Sequence, residues 1–261
     1  MSEIKGRLAD VRGRIEEAAL RAGRSGADVE IVAVTKGHPA SVLRDVAASG
    51  LPIIGENRVD EAEQKFRELG RLGVRWHMIG HLQRNKAGRA VQLFDVIESV
   101  DSLRLARKLA SESERAGREQ LEVLLEVNTS GEATKGGFAG EEVLQAAPEI
   151  VALERLKVVG LMTMAPLTSD EGVLRGVFRF TRELFERCGL EVSGFEAKTL
   201  SMGMSNDFEI AVEEGSTRLR LGTVLVGPRP GEAPGRGRTR EPGSSRRSAT
   251  ERRRNGDGKR A

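Results

Sequence analysis

The sequence predicts a single α/β domain, a (β/α)8 TIM barrel over residues 1–227, with an extra N-terminal helix and a disordered basic tail over 228–261. Three observations point there. Eight short apolar runs alternate with longer amphipathic segments. Polar residues gather at the C-terminal ends of those runs, where this fold places its sites: Lys36, Glu56 to Arg58, His81, Asn128 and Thr129, Ser201 to Ser205, Gly222 and Thr223. An open doubly wound sheet, the alternative, would more often carry Gly-x-Gly-x-x-Gly after its first strand, where this chain has KGHP at 36–39.

The elements follow in order. An amphipathic helix over 3–23 precedes the first strand, EIVAVTK at 30–36, an apolar run that ends on a lysine. A helix at 39–49 leads to the strand PIIGE at 52–56, and a helix at 58–70 leads to RWHMIG at 75–80. A helix at 83–92 precedes VIESV at 96–100, and one at 102–116 precedes EVLLEVNT at 122–129. Helix 140–153, strand 158–164, helix 169–188, strand 199–204, helix 206–214 and strand 218–222 complete the alternation.

Charge divides the chain. From Pro228 onward eleven Lys/Arg stand against four Asp/Glu, a balance of +7, which leaves −4 on residues 1–227 within a formal total of +3. The basic pI therefore belongs to the tail, whose Gly/Pro/Ser/Arg composition buries too little surface to order itself. Arg252 to Arg254 could touch nucleic acid or anionic lipid, but a solvated tail is the expectation, and no aromatic is interleaved with the charges, which argues against single-strand binding. The lone Cys188 excludes an internal disulfide and a cysteine metal cluster. No apolar stretch approaches a membrane span and the N-terminus has no apolar signal core, so a cytoplasmic protein is expected.

Lys36 is the most informative residue. Desolvation at the end of a buried strand lowers a lysine's pKa, and the neutral amine forms Schiff bases with aldehydes, pyridoxal phosphate (PLP) included. Ser201 to Ser205 end strand seven and lead into a helix, while Gly222 and Thr223 end strand eight; hydroxyls and helix-terminal N–H groups there suit a phosphate. Ser205 or Asn206 also reads as a helix cap. On strand eight, alternation turns Arg220 opposite to Leu219 and Leu221, hence into the barrel. Its partner is either a pyridine nitrogen or Glu56 in a structural salt bridge. Arg218 reads as solvent-facing or structural. His77 and His81 share a strand face but lack the partners of a metal site, and hydrogen bonding inside the barrel is expected. His38 is expected in a solvent-exposed loop, and Lys135 is a further loop amine near the mouth.

Taken in order, these segments resemble a known family. They are Ala33 to Lys36, Gly55 to Arg58 with Glu61 and Ala62, Trp76 to Gln83 with Asn85 and Lys86, and Val127 to Gly131. Gly160 to Thr163 with Ala165 and Pro166, Leu200 to Ser205 with Asp207 and Phe208, and Arg220 to Thr223 follow. The chain resembles the PLP homeostasis proteins, which are similar to the N-terminal domain of alanine racemase. The resemblance implies a fold-type III PLP barrel with PLP as cofactor, joined to Lys36 as a Schiff base. It implies that Arg220 faces the pyridine nitrogen, that Ser201, Ser205, Gly222 and Thr223 hold the phosphate, and that Asn57 lines the pocket. It further implies a carrier or regulator of intracellular vitamin B6 with no catalytic residues and no metal, with apo PLP-dependent enzymes as possible recipients. A monomer is expected. The alternative is a racemase-like PLP enzyme. That mechanism pairs the lysine with a tyrosine from a second domain, and this chain contains no tyrosine.

Overall fold

The computed structural model describes residues 3–129 and 136–230. Lys135 and the tail from 231 onward lie outside the described residues. Helix α1 (Glu3–Arg21) comes first, followed by β1 (Glu30–Val34), α2 (Ala40–Ala48), β2 (Ile53–Glu56), α3 (Val59–Leu69) and β3 (Arg75–Met78). Next come α4 (Ala87–Leu93), β4 (Val96–Val100), α5 (Leu103–Arg115), β5 (Leu121–Asn128), β6 (Phe138–Ala139) and α6 (Glu142–Val151). The last elements are β7 (Leu156–Met162), α7 (Glu171–Glu191), β8 (Thr199–Ser201), α8 (Phe208–Glu213), β9 (Arg218–Leu221) and α9 (Thr223–Val226).

Every pairing is parallel. The order runs β4-β3-β2-β1-β9-β8-β7-β5, and β4 pairs β5, so eight strands close into a TIM barrel. The two-residue β6 lies outside the ring on β5, with Val127 opposite Phe138; the sequence offered no signal for so short an element.

Strand alternation sorts the side chains. Ile31, Ala33, Leu219 and Leu221 point outward into the layer packed against the helices. Val32 and Val34 point inward and meet Ile53 and Ile79. Val96, Leu124, Val159 and Met162 form a second interior cluster. The helices seal the outer layer with apolar faces at three- and four-residue spacing. In α1 the buried positions are Ile4, Leu8, Val11, Ile15, Ala18 and Ala19, and in α7 they include Leu174, Val177, Phe178, Thr181, Leu184 and Cys188. Side-chain caps fix two helix starts: Asp170 accepts Val173 N at 3.2 Å, and Ser102 accepts Leu105 N at 3.3 Å. The extra helix α1 packs on α8 and α9. Arg14 pairs with Glu209 and lies 4.5 Å from the Phe208 ring centroid.

One close approach depends on glycine. Gly160 in β7 has φ +154, and a Cβ there would stand 1.7 Å from the Thr199 carbonyl oxygen. No other residue permits the β7–β8 pairing at this point.

Strands stop earlier than their apolar runs suggest. β1 ends at Val34, and the chain turns, with His38 N donating to Thr35 O at 3.1 Å. β8 ends at Ser201 and the chain turns at Gly203, which has φ +97. A Cβ at Gly203 would lie 2.6 Å from Ala211 and 2.8 Å from Leu219. These early exits lift Lys36 and Met204 to Asn206 out of the sheet and to its mouth. Among the described residues, no helix is long and apolar enough to cross a membrane.

Candidate functional site

A cavity of about 210 Å³ opens at the C-terminal end of the barrel. Its wall includes Lys36 after β1, Asn57 after β2, Ser205 after β8, and Arg220, Gly222 and Thr223 on and after β9. Six of the seven residues singled out in the sequence therefore meet in one hollow. Val34, Ile79, Met164 and Met204 supply apolar walls, and His38, Asn206 and Arg229 add polar ones.

Ser201 is the exception and a correction. Its side chain is buried. Its hydroxyl donates to Glu98 Oε2 at 2.6 Å and accepts from Arg220 Nη1 at 2.7 Å. Alternation turns Ser201 into the barrel interior rather than upward to the mouth, where a phosphate would sit.

The Arg220 guanidinium is buried and held from two sides. Nη1 donates to Ser201, and Nη2 donates to the Thr163 carbonyl at 2.7 Å. Burial lowers its pKa, and the charges of Glu98, Asp207 and Glu126 oppose that shift. An arginine remains charged in such a place. Its partners do not include Glu56, so the structural salt bridge weighed from spacing is absent. Arg218 is buried rather than solvent-facing. It bonds Glu30 Oε2 at 2.6 and 3.0 Å, and its Nη1 stands 3.5 Å from Glu98.

Glu98 is a fully buried anion of this interior. Burial works to raise its pKa, but the hydrogen bond from His77 and the charges of Arg218 and Arg220 outweigh burial and hold the carboxyl at about 2. His77 Nδ1 lies 2.6 Å from Glu98 Oε1, and burial pushes the imidazole's pKa down. His77 is therefore neutral at pH 7 and donates its Nδ1–H to the carboxylate. His81 departs from the expectation: its side chain is 68% exposed and reaches Asp101 Oδ2 at 3.1 Å. Among the described residues, no group of His, Cys, Asp and Glu could hold a metal.

A second buried network clamps the turn that carries Lys36. Glu56 points outward beneath α3, not into the mouth. Its Oε1 accepts from Thr35 Oγ1 at 2.5 Å and from Lys65 Nζ at 2.7 Å. Lys65 also donates to the Thr35 carbonyl at 2.8 Å and to Glu61 Oε1 at 2.7 Å. Glu61 in turn accepts Gly37 N at 2.6 Å. The residues on both sides of Lys36 are thus tied to α3. Burial raises the Glu56 pKa against the pull of Lys65.

The phosphate end also differs from expectation. Neither Ser205 nor Asn206 caps α8; the N-cap residue is Asp207, and its Oδ1 takes Met204 N at 2.6 Å. Both residues face the cavity instead. Ser205 Oγ accepts Val224 N at 3.4 Å, which joins the loop after β8 to the first turn of α9. That short helix, unforeseen in the sequence, raises Gly222 and Thr223 on the same wall. His38 is buried and lines the cavity, contrary to the expected exposed loop. Arg229, just past the expected domain boundary at 227, lines it too.

Residues 8–230 match the family described as alanine racemase, N-terminal domain. A pyridoxal phosphate homeostasis protein of Pseudomonas aeruginosa is 42% identical over 234 residues, which cover 90% of this chain and 99% of that protein. The chain belongs to the pyridoxal phosphate homeostasis protein family. Relatives of the same name from Aquifex aeolicus and Escherichia coli K12 are 39% and 37% identical, over 85% and 88% of this chain and 97% and 98% of theirs. Among solved structures, PipY of Synechococcus elongatus with PLP bound superposes with a TM-score of 0.76 at 34% identity, covering 86% of this chain and all of that one. Alanine racemase of Clostridium difficile shares the fold, with a TM-score of 0.66 at 17% identity. This member of the homeostasis family matches 86% of its own length to 55% of that racemase.

Several site residues escaped sequence reasoning. Asn206 and Met204 flank Ser205 and follow once the loop is known to turn upward. Glu98 carried a legible signal, a lone carboxylate in the middle of the apolar run VIESV. Such a group is buried only if paired.

Proposed function

We propose that this protein binds PLP in the barrel mouth, holds it as a Schiff base on Lys36, and serves as a reservoir of the cofactor within the cell without turning over a substrate. The observation that carries the reading is the convergence of Lys36, Arg220, Ser205, Gly222 and Thr223 on one small cavity. These residues fit PLP. An amine, a fixed buried cation and a hydroxyl-rich wall lie around a space for one flat ring. The homeostasis names of the relatives and the PLP bound to PipY support the same cofactor.

The bound group would supply a reactive aldehyde and an aromatic ring able to take up electrons. The chain supplies the rest. Lys36 provides the nucleophilic amine, positioned because Thr35 and Gly37 are tied to α3. Ser205 and Thr223 offer hydroxyls and α9 its first-turn N–H groups to the phosphate. Asn57 lines the same cavity. Arg220 would set a permanent cation beside the ring nitrogen and so disfavour its protonation, which would weaken the ring as an electron sink. The chain has no tyrosine to act as a second base.

Titration with PLP, followed by visible absorption, tests the binding. Wild type is expected to develop the Schiff-base band and Lys36→Ala to lack it. An equal band in both proteins overturns the assignment of Lys36. One observation favours proton transfer as a second reading: His38 lines the cavity. Exchange of amino-acid Cα–H with deuterated solvent separates the two. The reservoir reading expects at most slow exchange. Exchange at ordinary enzyme rates, lost in His38→Ala, would make the protein an enzyme.

A further inference from the structure

We infer that Glu98 is a positioning residue for the cofactor ring: through Ser201, it fixes the direction in which Arg220 donates its hydrogen bonds. The inference rests on the reading of Arg220 as the partner of the ring nitrogen and extends it to two residues that never reach the cavity.

The argument is one of hydrogen-bond polarity. An ionised carboxylate only accepts. Glu98 is ionised, so both groups bound to it must donate: His77 through Nδ1–H and Ser201 through its hydroxyl hydrogen. A hydroxyl carries a single hydrogen. With that hydrogen committed to Glu98, Ser201 Oγ can offer only lone pairs to Arg220 Nη1, 2.7 Å away. The Thr163 carbonyl, likewise acceptor-only, fixes Nη2. The guanidinium plane is set by two acceptors of assigned direction, and its remaining N–H groups are left for the cavity. Burial makes each assignment stringent, because Glu98, Ser201 and Arg220 are all shielded from water that could substitute for a lost partner.

Glu98→Gln inverts this logic at nearly constant volume. A side-chain amide has one accepting oxygen and one donating NH₂. Ser201 requires an acceptor, and so does His77 in its Nδ1–H tautomer, so one of them meets the NH₂ group. If Ser201 does, its hydroxyl turns to accept, and its hydrogen then faces the donor Arg220 Nη1. Arg220 must shift. Ser201→Ala reaches the same end by removing the acceptor outright, without touching Glu98 or His77.

The test compares PLP with 1-deaza-PLP, in which carbon replaces the ring nitrogen. Equilibrium affinities are measured for wild type, Glu98→Gln, Ser201→Ala and Ser201→Thr, with far-UV circular dichroism to confirm the fold. The expected result is a roughly tenfold loss of PLP affinity in Glu98→Gln and Ser201→Ala, the scale of one hydrogen bond to a charged group. Affinity for the deaza compound should be nearly unchanged, and Ser201→Thr, which keeps a hydroxyl, should stay close to wild type. Equal losses for both ligands would mean a merely structural role and overturn the proposal, as would no loss for either. If Glu98→Gln does not fold, Ser201→Ala carries the comparison alone. Wild type that binds PLP and deaza-PLP equally well would remove Arg220 from the ring nitrogen, and the proposal with it. Wild type that binds neither would instead refute the PLP reading, a distinct result that also ends the proposal.

Discussion

Replacing Lys65 by methionine should strand a charge and loosen the turn that carries Lys36. Lys65 and Glu56 have side-chain exposures of 6% and 0%, and the ammonium makes bonds of 2.7 to 2.8 Å to Glu56, Glu61 and the Thr35 carbonyl. Methionine fills nearly the same volume, so the effect is electrostatic rather than a cavity. Breaking a buried pair from one side costs about 3–5 kcal/mol, because the remaining charge is left uncompensated. Glu56 can relieve this only by taking up a proton. Its pKa is already raised by burial, and loss of the opposing Lys65 raises it further. The folded protein then binds more protons than the unfolded chain between the ordinary glutamate pKa and the raised one. Stability of the variant therefore falls as pH rises through that window. Urea unfolding, read by the fluorescence of the single buried tryptophan, Trp76, measures it. The expected loss at pH 8 is about 3–5 kcal/mol and smaller at pH 5. The double variant Glu56→Gln/Lys65→Met should recover about half of it, since the glutamine keeps an acceptor for Thr35 and removes the stranded charge. A loss below about 1 kcal/mol at pH 8, the scale of an exposed pair, or one that does not change with pH, would refute the reasoning.

Other perturbations follow from the same structure. Gly160→Ala should cost more than about 3 kcal/mol or abolish soluble expression, since its Cβ would overlap the Thr199 carbonyl; thermal unfolding decides it. Glu98, held at about 2, adds stability that is present above the ordinary glutamate pKa and lost as pH falls toward 2. The stability gap between wild type and Glu98→Gln should be about 3 kcal/mol at pH 7 and shrink across that acid range in urea titrations. Burial pushes the Cys188 thiol up to about 11, so a disulfide reagent should modify it at pH 8 in urea but hardly at all in the native protein.

Much of this architecture was legible because barrel strands obey simple alternation. Leu219 and Leu221 face the helices and Arg220 faces the interior, as period two requires. Lys36 was legible as a costly charge at the end of an apolar run. Ser201 was misassigned because its fate depends on Glu98, 103 residues away in sequence. Nothing local distinguishes a serine that meets a ligand from one that meets a buried carboxylate. For Arg218, near the base of β9, the sequence leaves solvent and a structural role both open, and the bond to Glu30 on β1 decides for the structural one. His38 reads as a loop residue, and its burial depends on how the turn after β1 is drawn down by Lys65 and Glu61, a tertiary effect that no short window carries.

The most direct test of the central claim is borohydride reduction of the PLP-loaded protein, followed by peptide mapping of the reduced pyridoxyl label. The account predicts one label per chain, on Lys36. A label on another lysine, or none from a protein that still binds PLP, would contradict it.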